Sequence, residues 1–146
     1  MIGLLQRVCL ARVLIDDRIV AAIDRGLLVL VGIERGDDER HAERLLERIL
    51  GYRLFPDDAG KMNLSVQDID GGLLLVPNFT LAADTRKGMR PSFTTAAVPA
   101  EGERLFRYLT TRAGQRYHRL QSGVFGAHME LRLTNDGPVT FWLQTR

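Results

Sequence analysis

The chain is short of cysteine, histidine and excess charge, and each shortage excludes a class of function. Its single cysteine, Cys9, cannot close a disulfide within one chain, so a reducing compartment is the default. The apolar run around Cys9 reads as a setting for a small core filler. His41, His118 and His128 are scattered and Cys9 stands alone, so no metal-ligand spacing exists and no metal is expected. Neither GxxxxGKS, GxxxxGKT nor GxGxxG occurs, and no nucleotide cofactor is expected. A G-x-S-x-G nucleophile elbow is missing too. No stretch approaches the roughly 20 apolar residues of a spanning helix. Arg7 and Arg12 interrupt the apolar N-terminus and no small-residue cleavage site follows, so the protein reads as cytoplasmic and free of membrane. The formal net charge is only +2, with a sequence pI near 9.0, which permits contact with a nucleic-acid backbone without demanding it.

What is present suits one soluble domain spanning 1–146. Apolar residues make up 45% of the chain and charged ones 26%, enough of the former for a proper core. "LLQRVCLARVLI" and "RIVAAI" read as strands flanking a turn at Asp16–Asp17, and "GLLVLVGI" as a strand buried on both faces. "GDDERHAERLLERILGYR" is a helix, with Asp37 or Asp38 as N-cap and Gly51 at its end. Its apolar residues Ala42, Leu45, Leu46, Ile49 and Leu50 share one face, and His41 is expected in solvent. "GGLLLVPNF" is a second buried strand, "AADTRKGMRPSF" a loop, and Pro99 to Tyr117 a second helix. "GVFG", "MELRLT" and "VTFWLQT" are expected as closing strands. Strands outnumber helices without alternating with them, so the fold class is α+β: a curved, mostly antiparallel sheet or barrel with two packed helices.

Two stretches invite a chemical reading. In "VPNFTLAAD" a buried strand runs into Pro77, Asn78, Phe79 and Thr80 and then turns polar. The plain reading is a strand end with Thr80 bonded to backbone. The functional one is that N–H groups left unpaired at the strand end stabilise a carbonyl oxygen turning tetrahedral, with Thr80 beside them as a hydroxyl ligand or nucleophile. In "NDGPVTFWLQ" the Gly137–Pro138 pair is ordinary turn chemistry before a last strand.

Taken together, "GLLVLVGI", "ERILGYRLF", "GKMNLSV", "FTLAADTRKGMRPSF" and "NDGPVTFWLQ" closely resemble the D-aminoacyl-tRNA deacylases, long called D-tyrosyl-tRNA deacylases. The likeness runs in order from Met1 to Gln144. It implies a homodimer of that family's fold that hydrolyses the ester between a D-amino acid and the terminal adenosine of tRNA. Two motifs then meet at each site. One is complete here as Asn135, Asp136, Gly137, Pro138, Val139 and Thr140, with a cis Gly–Pro peptide expected to reach into the partner's pocket as a chirality filter. The other, Ser-Gln-Phe-Thr in the family, keeps Phe79 and Thr80 as catalytic positions but carries Pro77 and Asn78 in place of Ser and Gln.

Further positions follow from the same likeness. Phe125 and Met129 either flank the adenine or pack the core. Arg7 either steadies the Gly–Pro loop or makes a surface ion pair. From charge alone, Arg86, Lys87 and Arg90 put three cations on a loop that is either solvated or set against acceptor-stem phosphates. The runner-up function is a dimeric tRNA-binding protein on this scaffold with a weakened site; a third is hydrolysis of an unrelated ester with Thr80 as nucleophile.

Overall fold

A computed structural model describes residues 1–146. β1 (Ile2–Ile15) and β2 (Arg18–Ile23) form a hairpin turned by Asp16 and Asp17 at φ 49° and 61°, a two-residue turn whose twist matches that of its strands. The first half of β1 also pairs antiparallel with β3 (Gly26–Gly32), from Ile2↔Gly32 to Val8↔Gly26. Helix α1 (Glu39–Gly51) leads from β3 towards β6 (Gly72–Pro77), which pairs parallel to β3. On the way, β4 (Phe55–Pro56) and β5 (Met62–Leu64) make a small separate hairpin. Helix α2 (Pro99–Arg116) then leads to β7 (Leu120–Ser122), parallel to β6. β8 (Glu130–Gln144) returns antiparallel along nearly all of β1. The result is a curved, nearly closed mixed sheet with both helices on one face, the α+β layout expected.

Coverage on both faces is why β3 and β6 are apolar throughout. Leu27, Val29, Val31, Leu73 and Leu75 point to the helix side, where Leu45 and Ile49 of α1 meet Leu105 and Leu109 of α2. Leu28, Leu74 and Val76 point the other way, into a second cluster with Val8, Val13 and Ile23. Gly26 and Gly72 face each other across the parallel pair so closely that a Cβ on Gly26 would lie 2.0 Å from the Gly72 carbonyl oxygen. No helix is long and apolar enough to cross a membrane.

The choice of cap on α1 falls to Asp38, whose Oδ1 accepts from the N–H groups of Arg40 and His41 at 3.0 and 3.2 Å. The His41 N–H and its neighbours hold the Asp38 carboxyl down to about 2. Asp37 is left to the Met1 ammonium, 2.6 Å away.

Four expectations need correction. His41 is half-buried rather than solvated, because its Nδ1 accepts from the Asp38 N–H at 3.1 Å and closes a capping box. Cys9 is exposed, since it sits where the β1–β8 register shifts between Val8 and Leu10 and the strand's alternation breaks. "GVFG" is not a strand; β7 ends at Ser122 and Gly126, at φ 77°, turns the chain. "MELRLT" and "VTFWLQT" are one strand, because β1 is long enough to pair with both and the turn residues between them bulge outward.

The two glycine environments predict opposite outcomes for the same change. Gly26→Ala is expected to destabilise by about 1–3 kcal/mol through forced separation of β3 and β6. At Gly51, with open space around its Cβ direction, Gly51→Ala is expected to be neutral or stabilising by up to about 1 kcal/mol, since alanine suits a helix better. Urea unfolding monitored by circular dichroism compares the two.

Candidate active site

The β6 strand ends where proline removes a ladder donor: Pro77 has no N–H, and the next one, of Asn78, reaches the Val31 carbonyl at 2.8 Å. The chain then winds into a 3₁₀ turn, Phe79–Ala82, capped by Asn78. Asn78 Oδ1 accepts both from the Thr80 N–H, at 3.1 Å, and from the Thr80 hydroxyl, at 2.5 Å. Gly32 at the end of β3 makes room for this turn, since a Cβ there would come within 2.8 Å of Leu81 Cβ.

This arrangement alters the expected pair of free donors. The Thr80 N–H is already engaged, so of the two backbone groups only that of Phe79, first in the turn and without an intrahelical partner, stays open. Asn78 Nδ2 has no protein acceptor, and Asn78 lines the same wall. The Thr80 side chain is exposed, and its hydroxyl hydrogen-bonds to Asn78 and to no histidine, lysine or carboxylate.

Pro77, Asn78 and Phe79 form one side of a cleft of about 860 Å³. Phe125 and Met129 line it as well, and Leu28, Leu30, Val76 and Leu131 supply apolar lining from β3, β6 and β8. Phe125 also stacks against Phe106 of α2 at 6.4 Å, and Gly102 leaves space for its ring, which a Cβ would approach to 3.1 Å. Met129 Sδ accepts from the Val124 N–H at 3.4 Å. Core packing and cleft lining are therefore both true of these two residues. Phe93, Arg35 and His128 join the lining without having been singled out beforehand. Phe93 lies against Phe79, centroids 5.0 Å apart, and an aromatic in an otherwise polar loop was the one signal for it. Arg35 and His128 had none.

The Gly–Pro segment is built elsewhere. From Gln6↔Thr140 to Val8↔Asn135, two steps on β1 face five on β8, so Asp136 to Val139 cannot pair; Gly137 and Pro138 are left exposed while Val139 packs against the core. The Gly137–Pro138 peptide is cis, with Gly137 at φ 123°. Asn135 ties the bulge at its neck, donating from Nδ2 to the carbonyls of Arg7 at 2.9 Å and Val139 at 3.1 Å. Thr140 Oγ donates to Asn135 Oδ1 at 3.2 Å. Arg7 Nη1 donates to the Leu54 carbonyl at 2.9 Å, and Nε lies 3.0 Å from the Asp136 carboxylate as an ion pair too oblique for an aligned hydrogen bond. Arg7 is thus ion-paired with Asp136, the residue before Gly137. Gly137 and Pro138 are exposed and neither lines the cleft. One chain holds both motifs and keeps them apart.

Comparison with known proteins identifies the family. Residues 4–144 match the family described as D-Tyr-tRNA(Tyr) deacylase. A protein of Alkalilimnicola ehrlichii named D-aminoacyl-tRNA deacylase is 61% identical over 146 residues, covering 100% of this chain and 97% of its own length. One of the same name from Nitrosococcus oceani is 61% identical over 144 residues, covering 99% and 93%. Among solved structures, the c-Myc DNA unwinding element binding protein superposes with a TM-score of 0.96 at 34% identity, covering 100% of this chain and 99% of that one. A probable eukaryotic D-amino acid tRNA deacylase shares the fold, with a TM-score of 0.83 at 17% identity over 99% and 98%. With nearly its whole length matched by the family and by such relatives, the chain belongs to the D-Tyr-tRNA(Tyr) deacylases.

Proposed function

We propose that this protein hydrolyses the ester linking a D-amino acid to the terminal adenosine of tRNA, and that two chains build each site. The observation that carries this reading is the separation of the exposed Gly137–Pro138 bulge from the cleft lined by Pro77, Asn78 and Phe79. A projecting bulge and an open cleft on the same chain suit a two-fold dimer in which each bulge enters the partner's cleft.

In such a site the ester lies in the cleft with its carbonyl oxygen towards the Phe79 N–H. Asn78 Nδ2 supplies the second donor, in place of the Thr80 N–H that Asn78 already occupies. Water adds to the carbonyl carbon, the oxyanion is held by these donors, and collapse breaks the bond to the ribose oxygen, which leaves with a proton. The neighbouring ribose hydroxyl helps to activate the water, so no protein base is required. The partner's Gly137–Pro138 backbone offers carbonyl acceptors to the α-ammonium group. With ammonium and ester both fixed, a D side chain points to solvent, whereas an L side chain runs into that backbone. Rejection by main chain leaves D side chains ungripped, so many are accepted, and glycine, with no side chain to collide, is hydrolysed too.

The alternative, a scaffold that only binds nucleic acid, draws its support from the name of the c-Myc DNA unwinding element binding protein. Purified protein incubated with D-tyrosyl-, L-tyrosyl- and glycyl-tRNA decides between them. Rapid release from the D and glycyl esters with the L ester intact is expected; folded protein that binds tRNA and releases nothing would establish the alternative. Within the proposed site, Thr80→Val should keep activity within about tenfold, because the Thr80 N–H still orients Asn78. Asn78→Ala removes a donor and is expected to lower kcat by about 10²–10³-fold. Single-turnover deacylation rates test both, and full loss in Thr80→Val with intact folding would contradict the substrate-assisted route.

A further inference from the structure

Beyond the cleft wall lie three cations without anionic partners. Arg35 lines the cleft, is exposed and makes no side-chain hydrogen bond or ion pair. Lys87 and Arg90 stand on the loop closed at its base by mutual hydrogen bonds between Asp84 and Ser92, at 2.7 and 3.1 Å. The two segments are stitched together. Glu34 bridges to Ala96, and the Arg35 N–H donates to the Thr95 carbonyl at 2.8 Å, on the returning leg of that loop. Phe93, next to Ser92 at the base of that loop, leaves 43% of its surface exposed beside Phe79, itself 59% exposed.

The acids at this end already have partners. Asp84 accepts from Arg86 Nε and Nη2 at 2.9 and 2.7 Å, which holds its carboxyl down to about 2. Glu34 and Asp37 lie 3.1 and 2.6 Å from the Met1 ammonium. Arg86 is thereby a strut within its loop. Arg35, Lys87 and Arg90 remain for an outside anion. Cations on neighbouring segments beside exposed aromatic rings suit unpaired nucleic acid, whose phosphates pair with the former while its bases stack on the latter.

We propose that Arg35, Lys87 and Arg90 form a phosphate subsite for the unpaired RNA nucleotides that precede the terminal adenosine, with Phe93 as a stacking face for one of their bases. The inference rests on the reading that the ester-bearing adenosine enters the cleft, since the strand must then leave across this rim. A backbone contact blind to sequence also suits an enzyme that serves many tRNAs.

The test uses the full-length triple variant Arg35→Gln, Lys87→Gln, Arg90→Gln, three exposed positions. Binding of uncharged tRNA, followed by fluorescence anisotropy against salt concentration, should give a log–log slope shallower than wild type by about 2, for three single-strand phosphate contacts. The ratio of kcat/KM on D-tyrosyl-tRNA to that on D-tyrosyl-adenosine should fall at least tenfold. An unchanged slope and ratio would overturn the subsite. So would equal losses on both esters, which would put these cations at the reacting end, or dissociation of an oligomer, which would make a second copy of the chain their partner. If wild type hydrolyses neither ester, the proposed function fails, and the salt slope still decides the subsite by itself.

Discussion

Pairing between β1 and β8 is the constraint on which the rest of the molecule depends. β1 is shared: it pairs with β3 and then β2, and with β8 along nearly its whole length. A slip of one residue would turn every side chain of β8 to the wrong face, so the register is held by the apolar cluster that Leu131 and Leu133 join from that strand. Because the ladder is fixed on both sides of Arg7, the surplus residues of β8 have nowhere to pair. They form the Gly137–Pro138 bulge, and Asn135 binds both legs of it to the sheet. Gly137 is the residue its backbone accepts: beyond the positive φ, a Cβ would lie 2.7 Å from Val139 Cγ2 and 3.2 Å from Arg7 Nη2.

The other half of the proposed site depends on a different edge. Parallel pairing of β6 with β3 delivers Pro77 to the sheet margin, and the 3₁₀ turn that follows presents Asn78 and Phe79 to the cleft. Under the proposed function the cleft offers donors and apolar surface, while the bulge offers backbone acceptors. An ester with a free ammonium group needs both kinds of partner. Under the proposed function, dimer formation and stereochemical selection are therefore one event: a lone chain has an oxyanion site without the element that rejects L-amino acids.

Much of this was legible in the residues, for identifiable reasons. Continuous apolar runs gave away β3 and β6, and the three-and-four spacing of Leu45, Leu46 and Ile49 gave away α1. Local patterns could not report long-range register, so β8 looked like two strands with a turn between them. The exposure of Cys9 was hidden for the same reason, since a shift in pairing with β8 decides it. Asn78 looked like a shortened substitute for a longer amide; only coordinates reveal that its carbonyl oxygen takes both donors of Thr80. Arg35 carried no signal at all, because its meaning comes from the loop that the chain stitches beside it some sixty residues later.

The most direct test of the two-chain site is complementation between two crippled variants. Asn78→Ala damages the cleft and leaves the bulge intact; Gly137→Ala crowds the bulge and leaves the cleft intact. Each alone should turn over D-tyrosyl-tRNA poorly. Mixed as unfolded chains and refolded together in equal amounts, they should regain about a quarter of wild-type activity, since half the dimers then contain one site made of two undamaged parts. No recovery in a mixture that demonstrably contains heterodimers would mean that cleft and bulge act within one chain, and would contradict the account.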